Sequence, residues 1–250
     1  MDLRRLLLPA FLVLTPFASA TTLFPGTPIA SDYVLGPTTP GKWGSPVLGT
    51  GASITWSLIP TGVSCAGETV GCTNTALADF LPVGFLTQVQ NAFLAWSAVA
   101  NLTFAQVADC GNAFNTACSG GDMRIGGHTF DGASGTLAHG YFPPANGSTA
   151  AGDIHMDTAE NWVIGFAGPG IDIFQVLAHE IGHALGLDHT GVAGSLMNPF
   201  YSEAFSGPQA DDIAGMQALY GAPVSAVPEP GSIFLMSAGG LFLIGLRRRR

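Results

Sequence analysis

One run of the chain limits what the rest can be: His179-Glu180-Ile181-Gly182-His183-Ala184-Leu185-Gly186-Leu187-Asp188-His189. On a helix, residues four apart share a face, with Cβ atoms about 5–6 Å apart. His179 and His183 so placed converge on one zinc ion, whose bonds to imidazole are about 2.0–2.1 Å. Glu180 follows the first histidine and is placed to face a metal-bound water as general base. Gly186 comes one turn after His183, and glycine tolerates the left-handed backbone that ends a helix. That reversal brings His189 back as the third ligand. Three protein ligands leave one position for water, the arrangement of a catalytic zinc. An HExxH alone arises by chance; the added Gly186 and His189 at these spacings make chance a poor account.

The rest of the chain must supply a frame for that helix. Ile54 to Ile59 alternates as a strand does. Val89, Phe93, Trp96 and Ala100 recur at helical spacing, which places an amphipathic helix over 85–99. Leu102–Val107 reads as a second strand and Met123–Ile125 as a short third. Residues 21–52 read as irregular chain, and the Gly-rich stretch 126–152 as an extended loop. A helix is expected from Asp172 to Leu185, with Asp172 as its N-cap. Another is expected from Pro208 to Tyr220, with Pro208 in the first turn and Gly221 at the end. Strands and a helix first, helices later, is the order of an α+β domain.

The two ends differ from the middle. Residues 1–20 carry Arg4 and Arg5, an apolar run from Leu6 to Phe17 and then Ala18-Ser19-Ala20. That is the order of a secretory signal peptide cut after Ala20. The tail reads Val227-Pro228-Glu229-Pro230-Gly231, an apolar run from Ser232 to Leu246 and Arg247 to Arg250. It resembles the PEP-CTERM sorting signal of Gram-negative bacteria. The resemblance implies transient inner-membrane anchoring, processing by an exosortase-type enzyme, and release to the cell surface or its polysaccharide matrix. The plainer alternative is a lasting membrane anchor. The expected division is therefore a signal peptide over 1–20, a catalytic domain over 21–226 and a sorting tail over 227–250.

Between the ends, Lys42 and Arg124 are the only fixed positive charges, against every acid of the chain except Asp2 and Glu229. Such a surface repels nucleic acid and anionic membranes. The four cysteines, Cys65, Cys72, Cys110 and Cys118, lie in the exported part, where disulfides persist. Three pairings are open, and the local pairs Cys65–Cys72 and Cys110–Cys118 are favoured, each closing a loop. No CxxC spacing suggests a cysteine zinc site.

The motif HExxHxxGxxH is that of the metzincins, and within them the chain resembles a matrixin. Ser195-Leu196-Met197-Asn198-Pro199 is similar to the family's Met-turn, so Met197 is expected beneath the zinc ligands. Ala92–Trp96 with Leu102–Phe104, and Asp211 to Gly221, resemble the family's first helix and strand and its last helix. The resemblance thus implies a metzincin-type α+β fold, a twisted mixed sheet and three main helices, over roughly 50–222. It also implies secondary metals. His139 and His155 match ligands of a second, structural zinc. Asp131, Asp157 and Glu160 match carboxylates that bind calcium, for which hard oxygen donors are suited. The family's His-x-Asp pair is missing, since Arg124 and Gly126 stand in its places. His128 is the histidine available to replace it. No cysteine lies in 21–53, so latency through a cysteine that blocks the zinc is not expected; export ahead of metal loading and disulfide formation is one way to keep the enzyme quiet.

The reading is an exported zinc metalloendopeptidase that hydrolyses peptide bonds in proteins, with backbone near 136–141 aligning the substrate as an added strand. Tyr201 either lines the cleft, assists the oxyanion, or is a packed aromatic. No GxSxG elbow suggests a serine hydrolase. The competing reading, a surface or matrix-associated binding protein with a vestigial zinc site, leaves Glu180 without a purpose. A different zinc hydrolase fits the histidines but not the Met-turn.

Overall fold

The computed structural model describes residues 33–39, 41–117, 119–143 and 149–224. The expected signal peptide and sorting tail lie outside them. Among the described residues, no helix is long and apolar enough to cross a membrane.

A two-residue strand β1 (Val34–Leu35) comes first, followed by β2 (Ala52–Leu58), the short helix α1 (Leu77–Phe80) and α2 (Phe85–Ser97). Next come β3 (Leu102–Gln106), β4 (Met123–His128), β5 (Ala138–Gly140) and β6 (Ile154–Asp157). Two short strands, β7 (Trp162–Val163) and β8 (Ile171–Asp172), precede α3 (Ile173–Leu185). The order closes with β9 (Leu187–Asp188) and α4 (Ala210–Tyr220). The mixed sheet and three longer helices are the expected α+β arrangement.

The main sheet has the order β3-β2-β4-β6-β5. Its first four strands are parallel; β5 runs antiparallel to β6, with His139 opposite His155. Parallel neighbours need a crossover, and α2 supplies it between β2 and β3. Trp56 of β2 stacks on Phe93 of α2 with ring centroids 5.0 Å apart. Trp96 of α2 donates its indole N–H to the Ala178 carbonyl of α3 at 2.8 Å. That bond satisfies a buried indole and ties the two central helices together.

The stretch 126–152 is not wholly loop. β4 continues through Gly126 and Gly127 to His128, and β5 lies within the same stretch. The two glycines belong to the stretch expected to be an extended loop, but both serve close packing. The Asn74 side chain fills the place where a Cβ on Gly126 would stand, and the Phe80 ring does so at Gly127. Asn74 also accepts from the Gly127 N–H at 2.9 Å and donates to the Ile59 and Pro60 carbonyls at 3.1 Å. Glycine in a strand marks this kind of close approach.

α3 starts as expected: the Asp172 carboxylate caps it by accepting from the Gln175 N–H at 2.8 Å. Its last carbonyls are taken by side chains from the segment before β2 and from the last helix. Trp43 donates to Ala184 at 2.7 Å and Tyr220 to Leu185 at 2.8 Å. Gly186 then stops the helix with φ of 113°, and its own carbonyl accepts from Gly36. A Cβ at this position would overlap the Gly41 carbonyl. Gly186→Ala combines a left-handed backbone that L-residues resist by about 1–2 kcal/mol with that overlap. The expected result in thermal unfolding is a fall in Tm of several degrees, with weaker zinc retention because His189 follows three residues later.

α4 begins one residue after Gln209, so Pro208 precedes the cap instead of occupying the first turn. The reason is Asp212, whose carboxylate accepts from the Gln209 N–H at 2.7 Å and closes the turn there. Both fixed cations of the described residues are internal. Lys42 is 1% exposed and donates to the Trp43 and Ser45 carbonyls. Arg124 grips Asp109 through two bonds of 2.9 and 2.8 Å. Burial alone would raise the Asp109 carboxyl, but Arg124, the Gly111 N–H and the Ser57 hydroxyl together hold it below its ordinary range.

Candidate functional site

α3 places His179 and His183 on one face, and the reversal at Gly186 returns His189 to them. The three Nε2 atoms stand 3.0, 3.2 and 3.1 Å apart. Donors bound to one zinc at 2.0–2.1 Å in a tetrahedron stand about 3.3 Å apart. The set therefore matches a single ion to within a few tenths of an ångström.

These contacts are not hydrogen bonds between His179 and His183. The Nδ1 of His179 donates to the Leu196 carbonyl at 2.6 Å, and that of His183 to the Leu187 carbonyl at 2.7 Å. A carbonyl only accepts, so each Nδ1 carries the proton and each Nε2 turns a bare lone pair inward. This is how outer partners orient metal-binding imidazoles. Burial first, then the neighbouring imidazoles, holds His179 well below its ordinary pKa; burial and His189 bring His183 down to about 3. Burial also lowers His189. The rings are neutral and available to a cation at physiological pH.

Glu180 is fully buried, and neither carboxylate oxygen has a hydrogen-bond partner. Burial pushes its pKa well above the usual range. Buried polar groups are seldom left so, and a dication beside it relieves the penalty. The donor set and this orphaned carboxylate both fit a catalytic zinc. Gly140 of the edge strand β5 comes close: a Cβ there would lie 3.3 Å from Glu180 Oε2 and 2.7 Å from its carbonyl. The face of β5 at Gly140 therefore borders the candidate site.

Met197 is 2% exposed and its thioether occupies the space beside Gly182. It thus sits against the turn between His179 and His183. Asp212 was not singled out for this role by sequence reasoning. Its carboxylate accepts from the Ser195 hydroxyl, from the Leu196 N–H at 2.7 Å and from the Met197 N–H at 2.9 Å. The Leu196 carbonyl in turn receives His179. Tyr201 accepts from the Asp172 N–H at 3.0 Å, which makes it a support for the start of α3.

A second cluster forms from His128 at the end of β4, His139 on β5, His155 on β6 and Glu68 from a loop. His139 Nε2 lies 3.3 Å from His155 Nδ1. Glu68 Oε1 lies 2.6 Å from His139 Nε2 and 3.2 Å from His128 Nε2, and Oε2 lies 2.6 Å from His155 Nδ1. Burial would raise the Glu68 carboxyl, but the three imidazoles outweigh it and hold it far below its ordinary range. Sequence reasoning missed Glu68. The one signal was its position inside the loop that Cys65 and Cys72 close, and those cysteines are indeed paired. Cys110 is disulfide-bonded, while Cys118 lies outside the described residues.

Asp131, Asp157 and Glu160 are not gathered into a ligand group of this compactness. Asp131 accepts from the Thr136 N–H and Glu160 from the Ser134 N–H. One oxygen of Asp157 takes the Ala159 N–H at 2.9 Å, and the other is buried without a partner. Burial, with Asp157 and Asp131 nearby, raises Glu160 despite the loop N–H groups it receives.

Comparison with known proteins agrees with this geometry. A family profile described as Matrixin matches residues 78–221, and one described as the PEP-CTERM protein-sorting motif matches 226–250. The chain is 38% identical to karilysin of Tannerella forsythia over 153 residues, 58% of this chain and 30% of karilysin. It is 42% identical to human stromelysin-3 over 137 residues, 53% of this chain and 26% of that protein. It is 38% identical to the hatching enzyme of Paracentrotus lividus over 136 residues, covering 54% of this chain and 22% of that enzyme. The chain thus spans less than a third of the length of each of these relatives.

Proposed function

Because the chain belongs to the matrixin family, we propose that it is an exported zinc-dependent endopeptidase that cleaves peptide bonds in proteins. The observation that carries this is the convergence of three imidazole Nε2 atoms, those of His179 and His183 with their lone pairs inward, beside a buried carboxylate with no other partner. His179, His183 and His189 hold the metal, and Glu180 is the general base. When bound, zinc supplies Lewis acidity that activates water and polarises the scissile carbonyl. Glu180 takes the proton of the attacking water and passes it to the leaving amine. The hydrophobic surroundings of Glu180 keep its proton affinity high enough for both steps. The free side of β5 offers backbone groups to an extended substrate, which adds as a strand. Met197 packs beneath the histidines and holds their spacing.

His128, His139 and His155 bind a second, structural zinc in this reading. Asp131, Asp157 and Glu160 take calcium with loop carbonyls; the unpartnered oxygen of Asp157 and the raised Glu160 support it. Residues 1–20 direct export. The tail from 227 is recognised by an exosortase-type enzyme in a Gram-negative bacterium, after a transient stay in the inner membrane, and the domain is released at the surface.

The test is casein cleavage by the purified chain. Full loss of activity with a zinc chelator, and recovery on adding back zinc, is expected. Cleavage that persists once the protein has been shown free of zinc rules the reading out.

A further inference from the structure

β4 cannot close a second metal site by itself. Arg124 is committed to Asp109 and to the Asn112 carbonyl at 2.9 Å. Gly126 has no side chain, and Asn74 stands where one would be. His128 is thus the one imidazole that β4 offers, and with His139 and His155 the protein donors number three. A structural zinc is held by four.

The fourth donor comes from a loop outside the sheet. Residues 62–74 fold back on themselves, with Gly62 N–H on the Asn74 carbonyl and Asn74 N–H on the Val63 carbonyl. At the tip, the Cys65–Cys72 disulfide closes a small ring that contains Glu68. Inside the ring, the Glu68 N–H donates to the Cys65 carbonyl at 2.9 Å, and the Cys72 N–H to the Thr69 carbonyl at 2.9 Å. At the base, Thr75 and Gly127 exchange backbone hydrogen bonds, so the loop is pinned one residue from His128. A covalent ring with an internal bonded turn leaves Glu68 few conformations.

We propose that Glu68 is the fourth protein ligand of a second divalent-metal site, and that the Cys65–Cys72 ring is what presents it. This rests on the reading of His128, His139 and His155 as metal ligands. The four donor atoms all lie within 4.8 Å of one another. The set is three imidazoles and one carboxylate, which suits zinc and other borderline metals better than calcium or magnesium. The Glu68 contacts of 2.6 Å are closer than two ligands of one ion stand, so Glu68 draws back by several tenths of an ångström on loading. With four protein donors the site has no position for water, which marks it as structural and separates it from the site on α3.

The test is zinc content and zinc affinity of the full chain, with disulfides intact, in zinc-buffered solution. The variants are Glu68→Gln, His139→Ala, and Cys65→Ser combined with Cys72→Ser. The site on α3 reports folding, since a correctly folded variant keeps that zinc. Two zinc ions per chain are expected for the unaltered protein. Glu68→Gln and the paired cysteine variant are expected to bind the second at least tenfold more weakly while holding the first. Cobalt(II) placed in the second site gives an independent readout, because its visible absorption changes when the fourth donor is lost. If His139→Ala loses the second zinc while Glu68→Gln binds it unchanged, the histidine reading survives and Glu68 is not a ligand. If the unaltered chain holds one zinc and His139→Ala changes nothing, the histidine reading itself is wrong, and the proposal goes with it. Unchanged affinity in the paired cysteine variant removes the role given to the disulfide.

Discussion

Glu180→Gln is expected to lower kcat/KM on a peptide substrate by about 10²–10⁴-fold, the contribution of a positioned general base. Zinc content should stay as in the unaltered chain. The reasoning begins with what Glu180 does not touch. It makes no hydrogen bond through its side chain, so glutamine of nearly the same shape breaks no structural contact. Neither of the bonds that orient His179 and His183 passes through it: His179 relies on Leu196 and His183 on Leu187. A loss of turnover with metal retained therefore isolates proton transfer from metal binding. Removing an uncompensated buried carboxylate should also leave the metal-free protein at least as stable as before. Metal analysis beside steady-state kinetics checks the claim. A variant that keeps its zinc and cleaves at the original rate would show that some other group moves the proton.

Asp212→Ala is expected to give the largest loss of stability of any single change outside the core. One carboxylate there serves the Ser195 hydroxyl and the Leu196, Met197 and Gln209 N–H groups. Alanine strands these donors in a place that is 1% exposed. Each buried polar group left without a partner costs about 1–3 kcal/mol. Neighbouring losses are not additive, so a total of about 3–5 kcal/mol is expected, seen as a shifted denaturation midpoint. The second consequence concerns the metal. Asp212 holds the turn whose Leu196 carbonyl fixes the His179 ring, and loss of such outer support weakens metal binding by about 10–100-fold. Competition with a chromogenic chelator measures it. Unchanged zinc affinity in a destabilised Asp212→Ala would mean that the Met-turn keeps His179 aligned without this acid.

The difference between these two acids shows what a sequence displays and what it hides. The placement of Glu180 beside His179 and His183 was readable because it is set by spacing along one helix, and helical geometry is the same wherever the helix lies. Gly186 and His189 were readable for the same reason, and α2 through its apolar period. Asp212 was visible as part of a helix start but not as the acceptor for a turn in another segment. Glu68 was harder still: it reaches His128 across 60 positions of chain, and nothing in Glu68-Thr69-Val70 suggests a ligand. Gly126 and Gly127 misled in the opposite direction. They read as part of a loop, yet they lie in a strand where Asn74 and Phe80 press against them. In each case the missing information was which distant side chain arrives at the position. The tail was legible as a tripartite pattern, and it matches its family profile over 226–250.

Both fixed cations of the described residues are turned inward, Lys42 against backbone carbonyls and Arg124 against Asp109. Among the described residues, the outside is left with no permanently positive group to offer a polyanion. Such a body is repelled by acidic polymers instead of adsorbing to them. Lysine- and arginine-rich chains feel the reverse pull, so they gather around it before any contact is made.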